Sequence, residues 1–303
     1  MIPANLLLRL AAPSLAVVLA GPVAAAPSVP VESRTVSVDG LAMHYLAAGR
    51  GEPLILLHGY AETSRMWRPL IPSLAGRFRI LAPDLPGIGD SGIPADGLDM
   101  KAAAARIHAF ARSLGVEKAR VVGHDIGLMV AYAYAAQFPA ETEKLVLMDA
   151  FLPGVGGWRE IYDNPVLWHF RFSGPTPEAL VRGRERVYFE HYWNDFAADR
   201  AHSIPEADRR AYAAAYARPG RMRAGWRYFE AFPKTAADFE VLARTKLAMP
   251  VLTIGGEKAN GAALGKQGAL VASDVKVVVL KNTGHWLLEE NFEGAAAALA
   301  DFL

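Results

Sequence analysis

The sequence predicts an α/β protein in which a mostly parallel central sheet is flanked by helices and carries an inserted helical lid. Short apolar runs bounded by Gly or turn residues alternate with helical runs, which is typical of parallel sheets. The alternation stops between residues 153 and 240, where the chain is helical and rich in Arg and aromatic residues. We therefore expect a core of residues 27–152 and 241–303 and a lid of residues 153–240.

Eight apolar runs are the candidate strands, and the first two alternate around Asp39-Gly40 as in a hairpin. In chain order the candidate strands are Arg34–Val38, Leu41–Leu46, Pro53–Leu57, Phe78–Ala82, Ala119–Val122, Lys144–Met148, Pro250–Ile254 and Val275–Leu280. The candidate core helices before the lid are Met66–Ala75, Met100–Leu114 and Leu128–Phe138. Asp99 is the expected N-cap of the second of these helices, and Gly115 lies just past its end.

The stretch Val121–Gly127 joins an apolar run to a helical run, and its single carboxylate, Asp125, lies midway between two glycines. This pattern is the Gly-x-nucleophile-x-Gly elbow of α/β-hydrolases, with Asp in the place of Ser. Only small neighbours let a strand and a helix approach so closely on either side of a strained turn. The alternative is a Gly-flanked turn with an incidental Asp.

An Asp nucleophile limits the substrates that the protein can convert. A carboxylate is anionic near neutral pH and needs no base in order to attack. Attack on an ester carbonyl would give an unproductive mixed anhydride, whereas attack on a saturated carbon gives an alkyl-enzyme ester that water can cleave. The predicted electrophile is therefore an sp³ carbon with a leaving group, in an epoxide or a carbon–halogen bond.

Further residues complete a candidate catalytic set. The backbone N–H groups of Tyr60 and Ile126 are expected to form an oxyanion hole, because they follow a strand end and the nucleophile. His285 follows the last strand, and the order nucleophile, acid, His is typical of this topology. Asp149 is the favoured acid, and Glu257 is the alternative. The acid would hold the His285 tautomer while His285 activates water.

Composition excludes several other functions. The 303 residues are 52% apolar and 21% charged, with a formal net charge of +1 and no basic stripe, so nucleic acid is not an expected partner. The chain has no Cys and no His cluster at ligand spacing, so neither a metal nor another cofactor is implied.

Residues 1–26 have the character of a secretory signal, with two short apolar runs, an early Arg9 and small residues at Val23-Ala24-Ala25. The apolar stretch is too short to span a bilayer. We therefore expect a cleaved leader and a secreted or periplasmic protein, and a disordered leader or a misassigned start is the alternative.

The lid holds 17 of the 29 aromatic residues of the chain. An aromatic lining would exclude water and favour an apolar ligand, although aromatic residues also serve to pack a subdomain onto its core. The candidate lining residues are Trp158, Trp168, Phe170, Trp193, Trp226 and Phe229.

Several core motifs resemble those of α/β-hydrolase-fold epoxide hydrolases. These motifs are His58-Gly59-Tyr60, Asp84–Gly89, His124-Asp125-Ile126-Gly127 and Gly284-His285-Trp286. The lid motifs are more selective, and they resemble the Cif-like secreted epoxide hydrolases. The lid motifs are Leu167-Trp168-His169-Phe170, Glu185–His191, Tyr216-Ala217-Arg218-Pro219 and Leu242–Pro250.

The resemblance implies roles for four residues. Asp125 would be the nucleophile, Asp149 the charge-relay acid and His285 the base. His169 would be one of two lid residues that polarise the epoxide oxygen.

The chain departs from this family at two positions. The family has Glu at the relay position, where this chain has Asp149, and its second ring-opening residue is a Tyr, where this chain has Phe229. Tyr228 is adjacent, but neighbouring helix positions point about 100° apart, so it is not a simple replacement. His169 acting alone, and Tyr228 or Tyr162 reaching in after a lid shift, are the alternatives.

The leading hypothesis is an epoxide hydrolase whose partners are a small apolar epoxide and water, and whether it forms a homodimer stays open. The alternative is a dehalogenase with the same ester chemistry. Haloalkane dehalogenases usually carry a halide-binding Trp where this chain has Ile126, and the helix after Asp125 lacks the Arg residues of fluoroacetate dehalogenases. The third hypothesis, motivated by Phe229, is a non-catalytic binder of apolar ligands.

Overall fold

The computed structural model describes residues 29–303, and the predicted leader lies outside the described residues. Eight strands form one sheet in the order β1-β2-β4-β3-β5-β6-β7-β8. In chain order they are β1 Glu32–Val38, β2 Leu41–Ala48, β3 Glu52–Leu57, β4 Phe78–Pro83, β5 Ala119–His124, β6 Thr142–Met148, β7 Val251–Gly256 and β8 Val275–Leu280. The β1-β2 and β2-β4 pairs are antiparallel and the other pairs are parallel, so the predicted fold class is confirmed.

The centre of the sheet is the core of the protein. In β3 the four consecutive residues Leu54–Leu57 have no exposed surface, and the same holds for Leu145–Met148 in β6. Because consecutive side chains of a strand point to opposite faces, both faces of the sheet must be covered. Because both faces are buried, these strands are continuous apolar runs in the sequence and do not alternate apolar with polar residues.

The described part of the chain contains twelve α-helices. In chain order they are α1 Ile71–Leu74, α2 Met100–Ser113, α3 Ile126–Gln137, α4 Trp158–Tyr162, α5 Pro175–Val181, α6 Glu185–Asp195, α7 Glu206–Tyr216, α8 Arg221–Glu230, α9 Phe232–Leu242, α10 Gly261–Val271, α11 Leu287–Glu290 and α12 Phe292–Phe302. Helices α4 to α9 follow β6 and precede β7, in the stretch expected to form the lid. Over residues 29–303, no helix is long and apolar enough to cross a membrane.

The single helix predicted over Met66–Ala75 is wrong. The chain instead forms a short 3-10 helix at Ser64–Trp67 and then α1. Two prolines explain the break, because proline lacks the N–H that a continuous helix needs and its ring clashes with the preceding turn. Pro69 lies between the two helices, and Pro72 lies in the first turn of α1, where proline is tolerated.

Candidate active site

The candidate site lies at the carboxyl edge of the parallel strands. Strands β3, β5, β6 and β7 run in the same direction, so the loops that follow them meet at one edge. Tyr60 lies shortly after β3, Asp125 and Asp149 directly after β5 and β6, and His285 after β8. The fold therefore brings together residues that are up to 225 positions apart in the sequence.

The turn between β5 and α3 has the geometry of a nucleophile elbow. Asp125 has φ 51° and ψ −123°, a backbone conformation that residues other than glycine rarely adopt. A Cβ at Gly123 would lie 2.1 Å from the Gly127 carbonyl oxygen, and one at Gly127 would lie 2.4 Å from the Leu57 carbonyl oxygen. Only glycine fits at either position, so the predicted reason for the two glycines is observed.

The Asp125 carboxylate lies at the N-terminus of α3, where the helix dipole stabilises a negative charge. The backbone N–H of Tyr60 donates to its Oδ1 at 2.8 Å. Ile126 is the first residue of α3, and its N–H is one of those that have no acceptor within a helix. Of the two N–H groups that the sequence assigns to an oxyanion hole, that of Tyr60 therefore contacts the Asp125 carboxylate.

The structure brings His285 and Asp149 together. Nδ1 of His285 lies 2.7 Å from Oδ2 of the fully buried Asp149, whose Oδ1 accepts N–H bonds from Gly256 and Asn260 at 2.9 and 3.2 Å. The two backbone bonds therefore fix the orientation of the Asp149 carboxylate, so that its Oδ2 accepts a hydrogen bond from the imidazole. Glu257, the alternative acid, is exposed and accepts the N–H of Asn282, so it does not contact His285.

The other ring nitrogen of His285, Nε2, lies 3.7 Å from Oδ2 of Asp125, the candidate nucleophile. Burial alone would lower the pKa of His285, but the hydrogen bond to Asp149 and the charges of Asp149 and Asp125 raise that pKa to about 9. At neutral pH the imidazole of the free protein is therefore protonated and forms an ion pair with the two carboxylates.

His169 lies in a 3-10 helix, Pro165–Arg171, and lines the same cavity as Asp125 and His285. Its side chain is buried, and its Nδ1 has no hydrogen-bond partner among the described residues. Burial, reinforced by the nearby His191 and His285, lowers the pKa of His169 to about 3. The ring is thus neutral near pH 7 and offers one N–H donor rather than a positive charge.

Phe229 lines the cavity next to His169, with the ring centroids 5.3 Å apart. The adjacent Tyr228 does not reach the cavity, because its buried hydroxyl donates to the carbonyl oxygen of Pro86 at 2.9 Å. Tyr162 stacks on Phe170 and is not part of the cavity wall. In this conformation no tyrosine hydroxyl of residues 29–303 takes the place of the family's second ring-opening residue.

The cavity has a volume of about 420 Å³, which suits a small ligand. Its wall is mostly apolar and is dominated by five phenylalanines: Phe151, Phe170, Phe196, Phe229 and Phe232.

The expectation that four lid tryptophans line the cavity is wrong. Trp193 and Trp226 are fully buried inside the lid and use their indole N–H groups to reach the Ala61 carbonyl and the Tyr188 hydroxyl. Trp158 and Trp168 pack against other aromatic rings of the lid.

A buried acid–histidine pair next to Asp125 was not predicted from the sequence. His124, directly before Asp125, bonds Glu62 Oε2 through Nδ1 and the His285 carbonyl through Nε2, each at 3.0 Å. Burial is the largest single effect and would lower the pKa of His124, but the charge of Glu62, its hydrogen bond and the charge of Asp125 together raise the pKa. The available signal was the position of His124 inside the elbow, next to the nucleophile.

Comparisons with known proteins identify the fold family of the chain. A family model described as alpha/beta hydrolase fold matches residues 52–292. A soluble epoxide hydrolase from Corynebacterium sp. (strain C12) is 31% identical over 260 residues, which cover 84% of this chain and 90% of the relative. A fluoroacetate dehalogenase from Burkholderia sp. is 28% identical over 169 residues, 52% of this chain and 55% of the relative.

Among solved structures, a variant of aCif superposes with a TM-score of 0.82 and 26% identity, covering 92% of this chain and 90% of that one. The lid is therefore included in the similarity, as the lid motifs of the sequence indicate.

Proposed function

Because the chain belongs to the α/β-hydrolase fold family, we propose that it is an epoxide hydrolase that converts an apolar epoxide to a vicinal diol through an ester of Asp125. The observation that carries the proposal is a single apolar cavity that contains a carboxylate nucleophile, a neutral lid imidazole and a base. These three groups are Asp125, His169 and His285.

In the first step, Oδ2 of Asp125 attacks an epoxide carbon, because Oδ1 is already engaged by the Tyr60 N–H. The carbon–oxygen bond of the ring breaks, and its electron pair moves to the epoxide oxygen. The N–H of His169 stabilises the developing alkoxide by a hydrogen bond, and the alkoxide then takes a proton from solvent. The product of this step is an alkyl-enzyme ester with a free hydroxyl on the adjacent carbon.

In the second step, Nε2 of His285 takes a proton from water, and the resulting hydroxide attacks the ester carbon of Asp125. The negative charge develops on Oδ1, where the N–H groups of Tyr60 and Ile126 stabilise it. Collapse breaks the bond between the carboxyl carbon and the former Oδ2, and the departing diol oxygen takes the proton held by His285. The oxygen of water remains on Asp125, whose carboxyl group releases its proton to solvent and becomes the carboxylate again.

The charge of Asp125 controls when His285 becomes a base. In the free enzyme that charge helps to raise the pKa of His285 to about 9. Esterification removes the charge, so the pKa of His285 falls and the imidazole releases its proton to solvent more readily. The neutral imidazole can then take a proton from water in the step that requires it. The base is therefore activated after the nucleophile has reacted.

A dehalogenase is the second candidate, and the similarity to a fluoroacetate dehalogenase favours it. The cavity wall argues against a small haloacid substrate. Lys258, 59% exposed, is the one Lys or Arg in that wall within residues 29–303, and no Arg of α3 is available to bind a substrate carboxylate. The neutral His169 also suits an epoxide oxygen, which needs a hydrogen-bond donor.

The test is the intact mass of His285→Ala after incubation with a panel of terminal and aryl epoxides. Without the base, the ester should accumulate and add the mass of one substrate to the peptide that contains Asp125. The double variant with Asp125→Asn is the matched control and should gain no mass.

A folded His285→Ala protein that gains no mass with any epoxide would overturn the proposal. Halide release from a haloalkane or fluoroacetate panel would then favour the dehalogenase. A melting temperature that rises with apolar ligands, without turnover of any substrate, would favour the non-catalytic binder.

We also propose that the mature protein is secreted or periplasmic, which the leader-like composition of residues 1–26 supports. N-terminal sequencing of protein exported from a native-like host tests this.

A homodimer is a further proposal, supported by β8, a sheet-edge strand whose Val277 and Val279 are exposed. Sedimentation velocity of wild type and Val277→Lys tests the assembly.

A further inference from the structure

One carboxylate binds the backbone on both sides of His285. Oε1 and Oε2 of Glu290, at the end of α11, accept the N–H groups of Trp286 and Gly284, each at 3.1 Å. The same Oε2 also accepts the N–H of Ala198, in the lid, at 2.7 Å. Glu290 therefore joins the loop that carries the base to a backbone segment of the lid.

The lid segment of residues 196–198 also contacts His285 directly. The N–H of His285 donates to the Phe196 carbonyl at 2.9 Å, and its own carbonyl is bound by the His124 imidazole at 3.0 Å. A Cβ at Gly284 would lie 2.4 Å from the Ala198 nitrogen and 2.6 Å from the Phe196 oxygen. The close approach of lid and base loop thus requires glycine at this position.

Phe196 also forms part of the cavity wall, so the same lid segment borders the space for the substrate. A short stretch of lid therefore contacts the substrate space with its side chain and the base with its backbone. Nothing in the reaction described above uses Glu290, although its two carboxylate oxygens accept three backbone N–H bonds.

We propose that Glu290 is a positioning residue that fixes the His285 base against the lid and thereby sets the rate of ester cleavage. This inference rests on the proposed alkyl-enzyme ester. Ester formation depends on Asp125, the Tyr60 N–H and His169, none of which Glu290 contacts. Ester cleavage depends on the direction of His285 Nε2, which the three bonds of Glu290 hold in place.

The two steps should therefore respond differently to loss of Glu290. A displacement of a catalytic group by about 1 Å costs about 10²-fold in rate. We expect Glu290→Ala to slow ester cleavage by about this factor and to leave ester formation unchanged, so that the ester accumulates in the steady state. Glu290→Gln keeps one acceptor oxygen and should show a smaller effect in the same direction.

The experiment is rapid quenching followed by intact-mass measurement, which gives separate rate constants for ester formation and cleavage. The matched control is Glu289→Gln at the neighbouring position. One carboxylate oxygen of Glu289 is buried without a partner among residues 29–303, and burial raises the pKa of this carboxyl, so a neutral amide is a mild replacement. This control should retain both rate constants.

Each outcome distinguishes positioning from a structural role. A purely structural residue would lower the melting temperature and reduce both rate constants together. If Glu290→Ala and Glu290→Gln cleave the ester at the wild-type rate while His285→Ala accumulates it, the positioning role is refuted and the proposed function stands. If His285→Ala forms no ester at all, the proposed function itself fails.

Discussion

Replacing Phe229 by Tyr should accelerate ring opening. The ring of Phe229 lies in the cavity wall beside the neutral His169, so the new hydroxyl would add a second donor to the alkoxide. A hydrogen bond to a charged acceptor contributes about 1.5–3 kcal/mol, and about 1.36 kcal/mol changes a rate tenfold. We therefore expect ester formation to become about 10- to 100-fold faster.

The assay is the single-turnover rate of ester formation in the His285→Ala background, which isolates the first step. Tyr228→Phe is the matched control, because it removes the neighbouring hydroxyl that is bound to the Pro86 carbonyl. That control should lose about 1 kcal/mol of stability and keep its rate of ester formation. The reasoning fails if a folded Phe229→Tyr variant is no faster with any epoxide, or if Tyr228→Phe slows ring opening.

Three further predictions concern the core. Asp149→Asn should slow ester cleavage by about 10²–10⁴-fold, while the control Glu257→Gln should retain the wild-type rate. Equal rates of ester cleavage for the two variants in quenched-flow measurements would contradict the assignment of Asp149 as the acid. Asp125→Asn should lower the pKa of His285 from about 9, since one of the charges that raise it is lost; an unchanged imidazole ¹⁵N NMR titration would contradict this. Gly123→Ala should lower the free energy of unfolding by about 1–3 kcal/mol in chemical denaturation, because its Cβ would lie 2.1 Å from a backbone oxygen; wild-type stability would show that the elbow can widen.

The sign of the pH dependence follows from the raised pKa of His285. Its imidazole must be neutral to act as a base, so the rate of ester cleavage should rise with pH as the proton is lost. Because esterification removes the charge of Asp125, the midpoint should lie below the value of about 9 that applies to the free enzyme. A midpoint at or above that value would contradict activation of the base by esterification.

Residues fixed by backbone geometry could be predicted from the sequence. The glycines around Asp125 and the order of nucleophile, acid and base depend on local turns and strand order, which leave direct patterns in the chain. Asp149 lies directly at the end of a strand, whereas the usual position of the acid after the Pro250–Ile254 strand holds Ala or Asn, with Glu257 only nearby. The structure brings Asp149 to 2.7 Å from His285.

Contacts between distant side chains could not be predicted in this way. Glu62 reaches His124 across 62 positions, and Glu290 reaches Ala198 across 92, so neither pair has a local pattern. The lid tryptophans were misassigned for a similar reason. Aromatic composition indicates burial, but only the arrangement of the helices decides which rings face the cavity and which face one another.

The insertion of helices α4 to α9 between β6 and β7 has an evolutionary consequence. The groups that we propose to form and cleave the ester, Asp125, Asp149 and His285, lie outside this insertion. His169 and Phe229, which we propose to lie beside the departing atom, are within it. Mutation of the insertion can therefore alter which leaving group is accepted while the inherited esterification cycle stays intact. The same core could in this way serve epoxides or carbon–halogen substrates through changes at lid positions such as 229.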